Sequence, residues 1–310
     1  MKKLISKDHR SIILGGAQLG LKYGMLPKKI SIKNIESIIE TALKYNINSI
    51  DTAYNYGDSE KNIGNLINKY NNSQIRIISK LKVFKKIYST LNLKKEVIES
   101  IQSTLNNLEI KFIDTLLIHE MSNMNINNGF IWKYLISIKN KKIFKNLGVS
   151  IQNKKELLIA LSIKDISVIQ LPFNIIDNRW DDVINQIIKT KKKRNLEIHV
   201  RSIFLQGLLL NFNNKAWNKT KFKNYKFINT WLNDKTKLFK RKSVVDLCLS
   251  YVKSQDWIDK IIMGVDSKDH LINNIELFNL KSLSLSEIND INLSRPKVNN
   301  TLLNPSKWRK

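Results

Sequence analysis

The chain is poor in several residue types, and each shortage excludes a class of protein. One of its 310 residues is cysteine, Cys248, so the chain can form no internal disulfide and no zinc site with two thiolates of its own. Ten glycines and four prolines beside 42% hydrophobic residues exclude a collagen-like or disordered chain. No stretch of about 18 apolar residues is free of charge, and the N-terminus lacks an apolar signal segment. We expect a folded, cytoplasmic protein with no membrane insertion.

Acidic residues are also few, which leaves a large positive charge. Lys and Arg number 53 against 26 Asp and Glu, for a formal net charge of +27. A field of this sign attracts nucleic acids and other anions. However, 45 of the 53 are lysines spread along the chain, and the one dense run, 191–194, ends a predicted helix, where cations complement the helix dipole. We therefore expect no specific nucleic-acid partner, and keep a salt-sensitive nucleic-acid-binding protein as an alternative.

Hydrophobic periodicity predicts a regular alternation of strands and helices. Strands are expected at 12–14, 47–51, 75–80, 112–118, 144–149, 166–171, 196–203 and 258–263, and helices at 32–46, 59–70, 93–108, 128–141, 153–163, 179–193, 243–254 and 267–278. Strands that are apolar throughout are typical of a parallel sheet covered on both faces. The pattern predicts an α/β fold, a (β/α)8 TIM barrel forming one domain over 1–310, with a doubly wound sheet as the alternative.

Two segments fall outside this alternation. About 38 residues separate Phe204 from Ser243, which is long for a connection within a barrel. We expect this long loop after strand seven to be a lid or a substrate loop, with a helical appendage that packs its aromatic side chains on the barrel wall as the alternative. The C-terminal tail after about residue 285, which contains Trp308, is expected to cover a barrel end or to pack beside the pocket.

Polar side chains recur where the predicted apolar strands end. Asp51 ends strand two, Lys80 ends strand three and His119 follows strand four. In a (β/α)8 barrel the carboxyl ends of all strands share one rim, and active sites are built there. Tyr56 lies five residues after Asp51, in the adjoining loop. We therefore expect a carboxylate, a phenol, an ammonium and an imidazole to face one cavity.

This set of groups suits the reduction of a carbonyl. A phenol has a pKa of about 10 and is a poor acid at neutral pH, but a nearby ammonium lowers that value. We expect Lys80 to be that cation, Asp51 to hold it in place, and His119 to hydrogen-bond the substrate carbonyl. A carbonyl that accepts a hydride develops negative charge on oxygen, so it requires a proton donor and fixed hydrogen bonds. The hydride itself must come from a cofactor.

The run from Asp51 to Glu60, Asp-Thr-Ala-Tyr-Asn-Tyr-Gly-Asp-Ser-Glu, resembles the aldo-keto reductase family, as do the positions of Lys80 and His119. The similarity covers almost the whole chain. It implies an NAD(P)H-dependent oxidoreductase that reduces an aldehyde or ketone to an alcohol, with Tyr56 as general acid and the other three residues completing a tetrad. The opening 15–24 resembles a bacterial subgroup associated with surface-polysaccharide or nucleotide-sugar pathways, which implies a sugar-derived carbonyl as substrate.

The same resemblance implies a cofactor site and a substrate site. It assigns to the cofactor Ser150, Gln170, Ser202, Phe204, Leu205, Gln206, Gly207, Gly264, Asp266, Ser267, His270 and Asn274. Tyr23 and Tyr54 at the rim are the candidates for binding substrate. Ile151 stands where the family usually has asparagine, and an aspartate at 266 would repel the 2′-phosphate of NADP but could accept a hydrogen bond from a ribose hydroxyl of NAD. We favour NADP(H), keep NAD(H) as the alternative, and expect no metal.

Several alternatives stay open at this point. A non-catalytic nicotinamide-binding regulatory or sensor barrel has the same fold. We interpret His199, inside an apolar strand, as a structural histidine of the barrel, and Cys248 as a small core residue. The histidine spacing does not resemble a zinc motif. The sequence leaves the substrate, the direction of the reaction and the oligomeric state open.

Overall fold

The strands pair in sequence order and close on themselves. The structure, a computed structural model, describes residue 9 and residues 11–25, 27–70, 75–84 and 89–308. Within these residues eight parallel strands form a closed barrel, in which β8 returns to pair with β1. The strands are β1 (Ile12–Gly15), β2 (Ser49–Asp51), β3 (Arg76–Lys80), β4 (Ile113–Ile118), β5 (Phe144–Ser150), β6 (Val168–Pro172), β7 (Glu197–Arg201) and β8 (Lys260–Gly264). The predicted (β/α)8 barrel is confirmed, and the doubly wound sheet is excluded.

Helices connect successive strands and cover the outside of the barrel. They are α1 (Ala17–Gly20), α2 (Ile32–Lys44), α3 (Ser59–Lys69), α4 (Thr90–Leu108), α5 (Phe130–Ile138), α6 (Lys154–Ser162), α7 (Ile184–Lys193), α8 (Asn214–Asn218), α9 (Tyr225–Leu238), α10 (Val244–Lys253), α11 (Lys268–Phe278) and α12 (Leu285–Ser294). None of these described helices combines the length and the apolar character that crossing a bilayer requires. One domain over 1–310 stays a prediction, since residues 1–8 and 309–310 lie outside the described residues.

Local hydrogen bonds decide where the helices begin. The Ser31 hydroxyl accepts from the Asn34 backbone N–H and caps α2, as serine commonly does. The helix expected at 179–193 instead begins at Ile184. The Trp180 indole donates to the Pro172 carbonyl (2.9 Å), and the Arg179 Nε donates to Asp177 (2.9 Å), which holds this stretch in a turn. Side-chain bonds to the preceding loop therefore delay the start of the helix.

The long segment after β7 divides into two parts. Residues 205–210 form a 3-10 turn at the rim of the barrel, while α8 and α9 pack on its outside. Trp217 is fully buried and its ring stacks on Tyr225, with centroids 5.6 Å apart. The buried Trp231 donates from its indole to Ser294 in α12 (3.2 Å). Most of the segment is therefore a helical appendage, which was the alternative expectation, although the sequence analysis predicted no helix at the position of α9.

The C-terminal tail packs on the loop after β6. Arg295, directly after α12, is buried and donates to the Asp177 carbonyl (3.0 Å) and to the Asp181 carboxylate (2.6 Å). Further along, Leu302 and Leu303 are buried. The tail thus closes the outside of the barrel beside the carboxyl ends of the strands.

The barrel interior is apolar in its middle and polar at both ends. Ile13, Ile78, Leu117, Val168 and Ile262 form a cluster of their own inside the barrel. Below it His199 is buried and its Nε2 lies 2.9 Å from the Glu197 carboxylate, so this histidine is structural, as predicted. Cys248 is a buried free thiol in α10. The polar carboxyl end, above the apolar layer, is left for the functional site.

The glycines after β1 allow the backbone of that segment to pack directly against the turn that carries Tyr56. The Gly16 N–H donates to the Asp51 carbonyl (2.6 Å), and the Ser59 hydroxyl donates to the Gly16 carbonyl (2.8 Å). A Cβ at Gly20 would overlap the carbonyl oxygen of Tyr56 and the backbone nitrogen of Ser59. Because two backbones meet here, only a residue without a side chain fits. The position of the Tyr56 turn therefore depends on Gly20.

We predict that Gly20→Ala destabilises the protein by about 2 kcal/mol or more, since the new methyl group must push two backbone segments apart. Gly129→Ala is the control: its nearest heavy atom lies at 3.4 Å, and its positive φ of 79° alone should cost about 1 kcal/mol. The midpoints of urea unfolding measure both changes. A Gly20→Ala protein as stable as the wild type would show that the two backbones are not in tight contact.

Candidate active site

A cavity of about 460 Å³ opens at the carboxyl ends of the strands. The ends of β1, β2, β7 and β8 contribute Gly15, Asp51, Arg201 and Gly264 to its wall. This volume lies in the range of small-molecule sites, and the carboxyl face is where a (β/α)8 barrel places its active site. Of the tetrad expected from the sequence, Asp51 and Tyr56 lie on the wall of this cavity, whereas Lys80 and His119 are not among its wall residues.

A buried ion pair lies at the inner end of this cavity. The Lys80 ammonium donates to both oxygens of Asp51 (2.8 and 2.7 Å) and to the Thr52 carbonyl (2.8 Å). Lys80 is fully buried and Asp51 is 3% exposed. Burial lowers the pKa of Lys80, and the adjacent carboxylate opposes that effect by favouring the charged ammonium. Removing either partner would leave a buried charge without compensation, which is strongly destabilising.

Tyr56 lies next to this ion pair and borders the cavity. The Lys80 Nζ is 4.7 Å from the centroid of its ring. Burial and the negative charge of Asp51 raise the pKa of Tyr56, and the charge of Arg201 opposes them. The expectation that Lys80 lowers this pKa is therefore wrong, because Asp51 compensates the ammonium and itself acts on the phenol. The phenol stays protonated at neutral pH.

His119 is the second neutral group beside the pair. Its ring lies edge-on to Tyr56, with centroids 5.7 Å apart and planes at 83°. Burial, assisted by the charges of Lys80 and Arg201, lowers the pKa of His119 to about 3. Its Nδ1 is buried and has no hydrogen-bond partner within the described residues. At neutral pH this imidazole therefore offers one N–H and one lone pair without a charge.

Gln170 and Ser150 lie deeper than expected. Gln170 is fully buried, and its Nε2 donates to Asp51 (2.7 Å), so this glutamine fixes the ion pair. Ser150 pairs with Gln170 in the β5–β6 ladder and is also buried. The Gln170 Oε1 has no partner within the described residues. A buried acceptor left unpaired costs free energy, and a ligand N–H can satisfy it.

The other expected cofactor residues fall into two groups. Eight line the cavity: Ser202, Phe204, Gln206, Gly207, Gly264, Asp266, His270 and Asn274. Leu205 is fully buried among apolar side chains, and Ser267 caps α11 by accepting from the His270 backbone N–H (3.1 Å). Neither of these two residues is on the cavity wall. The cavity extends from the tetrad to the N-terminus of α11.

The turn after β7 carries backbone strain at the cavity. Ser202, Leu205 and Gln206 have positive φ angles of 62°, 49° and 56°, and Gly207 has 86°. Residues other than glycine rarely adopt this conformation, and such strain concentrates at ligand sites. A Cβ at Gly207 would meet no heavy atom within 4 Å, so this side of the turn is open. The turn therefore presents backbone groups to the cavity.

The two tyrosines expected to bind substrate differ in position. Tyr23 lines the cavity, and its hydroxyl accepts from the Gln206 side chain (3.0 Å). The Met25 N–H donates to the Gln206 carbonyl (3.1 Å), so the segment after α1 is joined to the turn after β7. Tyr54 is not part of the cavity wall, and its backbone N–H donates to the Lys80 carbonyl (3.1 Å). Of the two tyrosines, Tyr23 is on the cavity wall, and a role of Tyr54 in substrate binding stays a prediction.

Arg201 and Gln18 are among the wall residues that the sequence analysis did not assign to the site. Arg201 ends β7 and lines the cavity. The sequence carried a signal for it, because Arg201 is a charged residue at the end of an apolar strand, as Lys80 is. Gln18 lies against Gly264, where a Cβ would overlap its amide oxygen. No pattern in the sequence marks Gln18. Among the described residues no group of three or more His, Cys, Asp or Glu side chains is placed to hold a metal ion.

We predict that His119 makes the stability of the protein sensitive to acid. The imidazole has a pKa of 6.5 when unperturbed and about 3 in the folded protein, so between these values the unfolded chain binds more protons. The free energy of unfolding should therefore fall as the pH drops from 6.5 towards 3. His119→Gln should lose less stability than the wild type between pH 7 and pH 4.5 in urea unfolding. Equal losses would show that His119 protonates normally in the folded state.

Comparisons with known proteins agree with this geometry. The model of the aldo/keto reductase family matches residues 11–294. Aldo-keto reductase AKR11C1 from Bacillus halodurans, in its holo form, is 19% identical and has a TM-score of 0.73, with 91% of this chain and 90% of that chain covered. The glycerol dehydrogenase AKR11B4 from Gluconobacter oxydans is 19% identical with a TM-score of 0.72, over 93% of this chain and 94% of that chain. No curated protein sequence matches significantly.

At 19% identity the likeness to these solved structures establishes the fold alone. The family model, in contrast, spans nearly the whole described barrel, including β1, the tetrad and α11. The protein belongs to the aldo/keto reductase family.

Proposed function

We propose that this protein is an NADP(H)-dependent carbonyl reductase in which Tyr56 delivers the proton. Membership of the family supports an oxidoreductase that acts on carbonyl groups. The observation that carries the proposal is the buried Asp51–Lys80 pair beside Tyr56, a protonated phenol at the cavity wall whose ring lies edge-on to a neutral His119. An acid and a hydrogen-bond donor then face one point, as carbonyl reduction requires.

The cavity fits a nicotinamide cofactor. Beside Asp51, which lines the inner end, the buried Gln170 has an unpartnered Oε1 that is an acceptor for an amide N–H, which a carboxamide supplies. At the outer end, Gly207 and Gly264 expose backbone, and the N-terminus of α11 favours phosphate groups. When bound, the reduced cofactor supplies the hydride. We assign its nicotinamide to the tetrad end and its adenosine to the Asp266 end.

The proton-transfer step follows from the protonation states of the tetrad. His119, neutral at working pH, donates a hydrogen bond to the carbonyl oxygen and orients it. As negative charge develops there, the Tyr56 hydroxyl donates its proton to the same oxygen. The raised pKa of Tyr56 keeps the proton in place until that moment, and the alkoxide that forms is a stronger base than the phenolate left on Tyr56. Asp51 and Lys80 hold the geometry.

The outer end of the cavity favours NADP(H) over NAD(H). His270 Nδ1 is hydrogen-bonded to the Asp266 carboxylate, four residues earlier, at the start of α11. This contact directs the negative charge of Asp266 towards His270, and the helix N-terminus adds positive potential. The repulsion that Asp266 alone would exert on a 2′-phosphate is thereby reduced.

We propose a polyhydroxylated, sugar-derived carbonyl compound as the substrate. The wall carries several uncharged hydrogen-bonding groups, among them Gln18, Tyr23 and Asn211. A solved structure of the same fold is named a glycerol dehydrogenase, which acts on a small polyol. We propose that the reaction takes place in the cytoplasm, where cysteine thiols such as that of Cys248 are kept reduced.

We predict that Tyr56→Phe lowers kcat about a thousandfold, because it removes the proton donor. Cofactor affinity should stay within about twofold of the wild type, since the ring remains, and both proteins should bind NADPH more tightly than NADH. Titration of tryptophan fluorescence measures binding, and NADPH consumption over a panel of aldehydes measures turnover. Tyr134→Phe, in α5, is the matched control.

Three outcomes would contradict parts of this proposal. Equal turnover by Tyr56→Phe would remove Tyr56 as the acid. Tight cofactor binding without consumption of any carbonyl by the wild type would favour a sensor instead of an enzyme. Tighter binding of NADH than NADPH would reverse the cofactor assignment.

A further inference from the structure

The segment that packs outside the barrel after β7 carries a concentrated positive charge. Residues 214–242, the basic appendage, comprise α8, α9 and the turn before α10. They hold ten Lys and Arg residues against one acidic residue, Asp234. Although lysines occur along the whole chain, a third of its net charge of +27 thus lies in these 29 residues.

Few of these cations have a partner within the protein. Lys235 and Arg241 form ion pairs with Asp290 and Asp246, and Lys219 donates to a backbone carbonyl. The remaining seven are exposed lysines that form no ion pair with any described residue. Like charges held close together repel one another, so an anionic partner would bind favourably to this surface.

Two large apolar side chains are exposed among these lysines. Phe227 and Leu238 of α9 are 61% and 62% exposed. They are about three helical turns apart, as are Lys226 and Lys237, so each pair lies on one line along the outer face of α9. The opposite face of α9 is buried against the rest of the protein. The outer face therefore carries a cationic line beside an apolar one, with the exposed Asp234 on the same face.

The basic appendage borders the mouth of the active-site cavity. The Lys219 ammonium donates to the carbonyl of Met25 (3.3 Å), and Met25 lines the cavity. Phe212, which is 46% exposed, directly follows Asn211 of the cavity wall. A partner that covers the basic appendage would therefore lie beside the entrance through which ligands reach the tetrad.

Exposed lysines beside phenylalanine and leucine are typical of segments that lie on a bilayer, where the cations contact anionic headgroups and the apolar side chains enter the boundary with the acyl chains. Nucleic-acid sites favour arginine, whereas nine of these ten cations are lysines, and an exposed leucine adds nothing to the recognition of a phosphate. We propose that the basic appendage binds the surface of a membrane that contains anionic lipids, with the outer face of α9 against the headgroups. Such binding needs no inserted segment.

The test measures co-sedimentation of the full chain with lipid vesicles at about 0.1 M salt. Vesicles of an equal mixture of phosphatidylcholine and phosphatidylglycerol should bind the wild type about tenfold or more tightly than vesicles of phosphatidylcholine alone. Lys226→Gln combined with Lys237→Gln should weaken binding to the mixed vesicles about tenfold or more. Phe227→Ser should weaken it about threefold or more, and Asp234→Asn should strengthen it.

Lys133→Gln combined with Lys141→Gln is the matched control. These exposed lysines belong to α5 and to the turn before β5, whereas α9 packs against α10 after β7. The control removes the same net charge from another side of the barrel, and it should change binding less than about twofold. Thermal unfolding confirms that every variant is folded before it is compared.

Three results would overturn the proposal. The first is equal binding, or no binding, of the wild type to the two kinds of vesicle. The second is an equal loss in the two double variants, which would assign vesicle binding to the net charge of the whole protein. The third is binding of a single-stranded DNA oligonucleotide that needs Lys226 and Lys237 when vesicle binding does not, which would assign the surface to nucleic acid. None of these measurements involves turnover, so each result is independent of the proposed reductase activity.

Discussion

The ion pair between Asp51 and Lys80 is the constraint on which the rest of the site depends. Two opposite charges buried inside a barrel are tolerated only when they are close and fully hydrogen-bonded. The structure meets this condition with two ammonium–carboxylate bonds, the Thr52 carbonyl and the Gln170 amide. Asp51 and Lys80 end β2 and β3, Thr52 follows β2, and Gln170 lies within β6, so the pair ties these three strands together. It also determines the electrostatic surroundings of every group that faces the cavity.

Burial, and to a smaller extent the charges of that pair, shift the pKa values of Tyr56 and His119 so that both groups stay neutral. A free ammonium beside the phenol would favour phenolate, but the Lys80 charge is compensated and Asp51 opposes ionisation. The imidazole is close to the same ammonium and is kept from binding a proton. Two uncharged donors beside a charged pair suit a substrate oxygen that becomes negative during the reaction.

Much of this arrangement could be predicted from the sequence, because it depends on periodicity and on strand ends. Apolar strands alternating with amphipathic helices predict a barrel, and a barrel brings Asp51, Lys80 and His119 to one rim whatever their separation along the chain. Membership of a run of assigned residues was a poorer guide to which side chains line the cavity. Leu205 and Ser267 lie within runs that border the cavity, but one faces the core and the other caps a helix.

Other features depend on distances that a sequence does not contain. The direction of the Tyr56 pKa shift is set by burial and by which charge lies nearest, so the spacing of Lys80 and Tyr56 could not predict it. The long segment after β7 was expected to be a lid or a substrate loop because of its length, whereas tertiary contacts such as that of Trp231 with Ser294 hold α9 against the barrel. Arg201 was adjacent to an assigned run, but only the fold shows that it has no acidic partner within the described residues.

The most direct test of the account is the transfer of deuterium. The protein is incubated with an aldehyde and NADPH that carries deuterium at the transferable position of the nicotinamide ring, and the alcohol is examined by mass spectrometry. The account predicts one deuterium bound to the carbinol carbon, and none on that carbon when unlabelled NADPH is used in deuterated water, since Tyr56 and solvent deliver only the proton on oxygen. An unlabelled alcohol in the first case, or a carbon-bound label from solvent in the second, would contradict it.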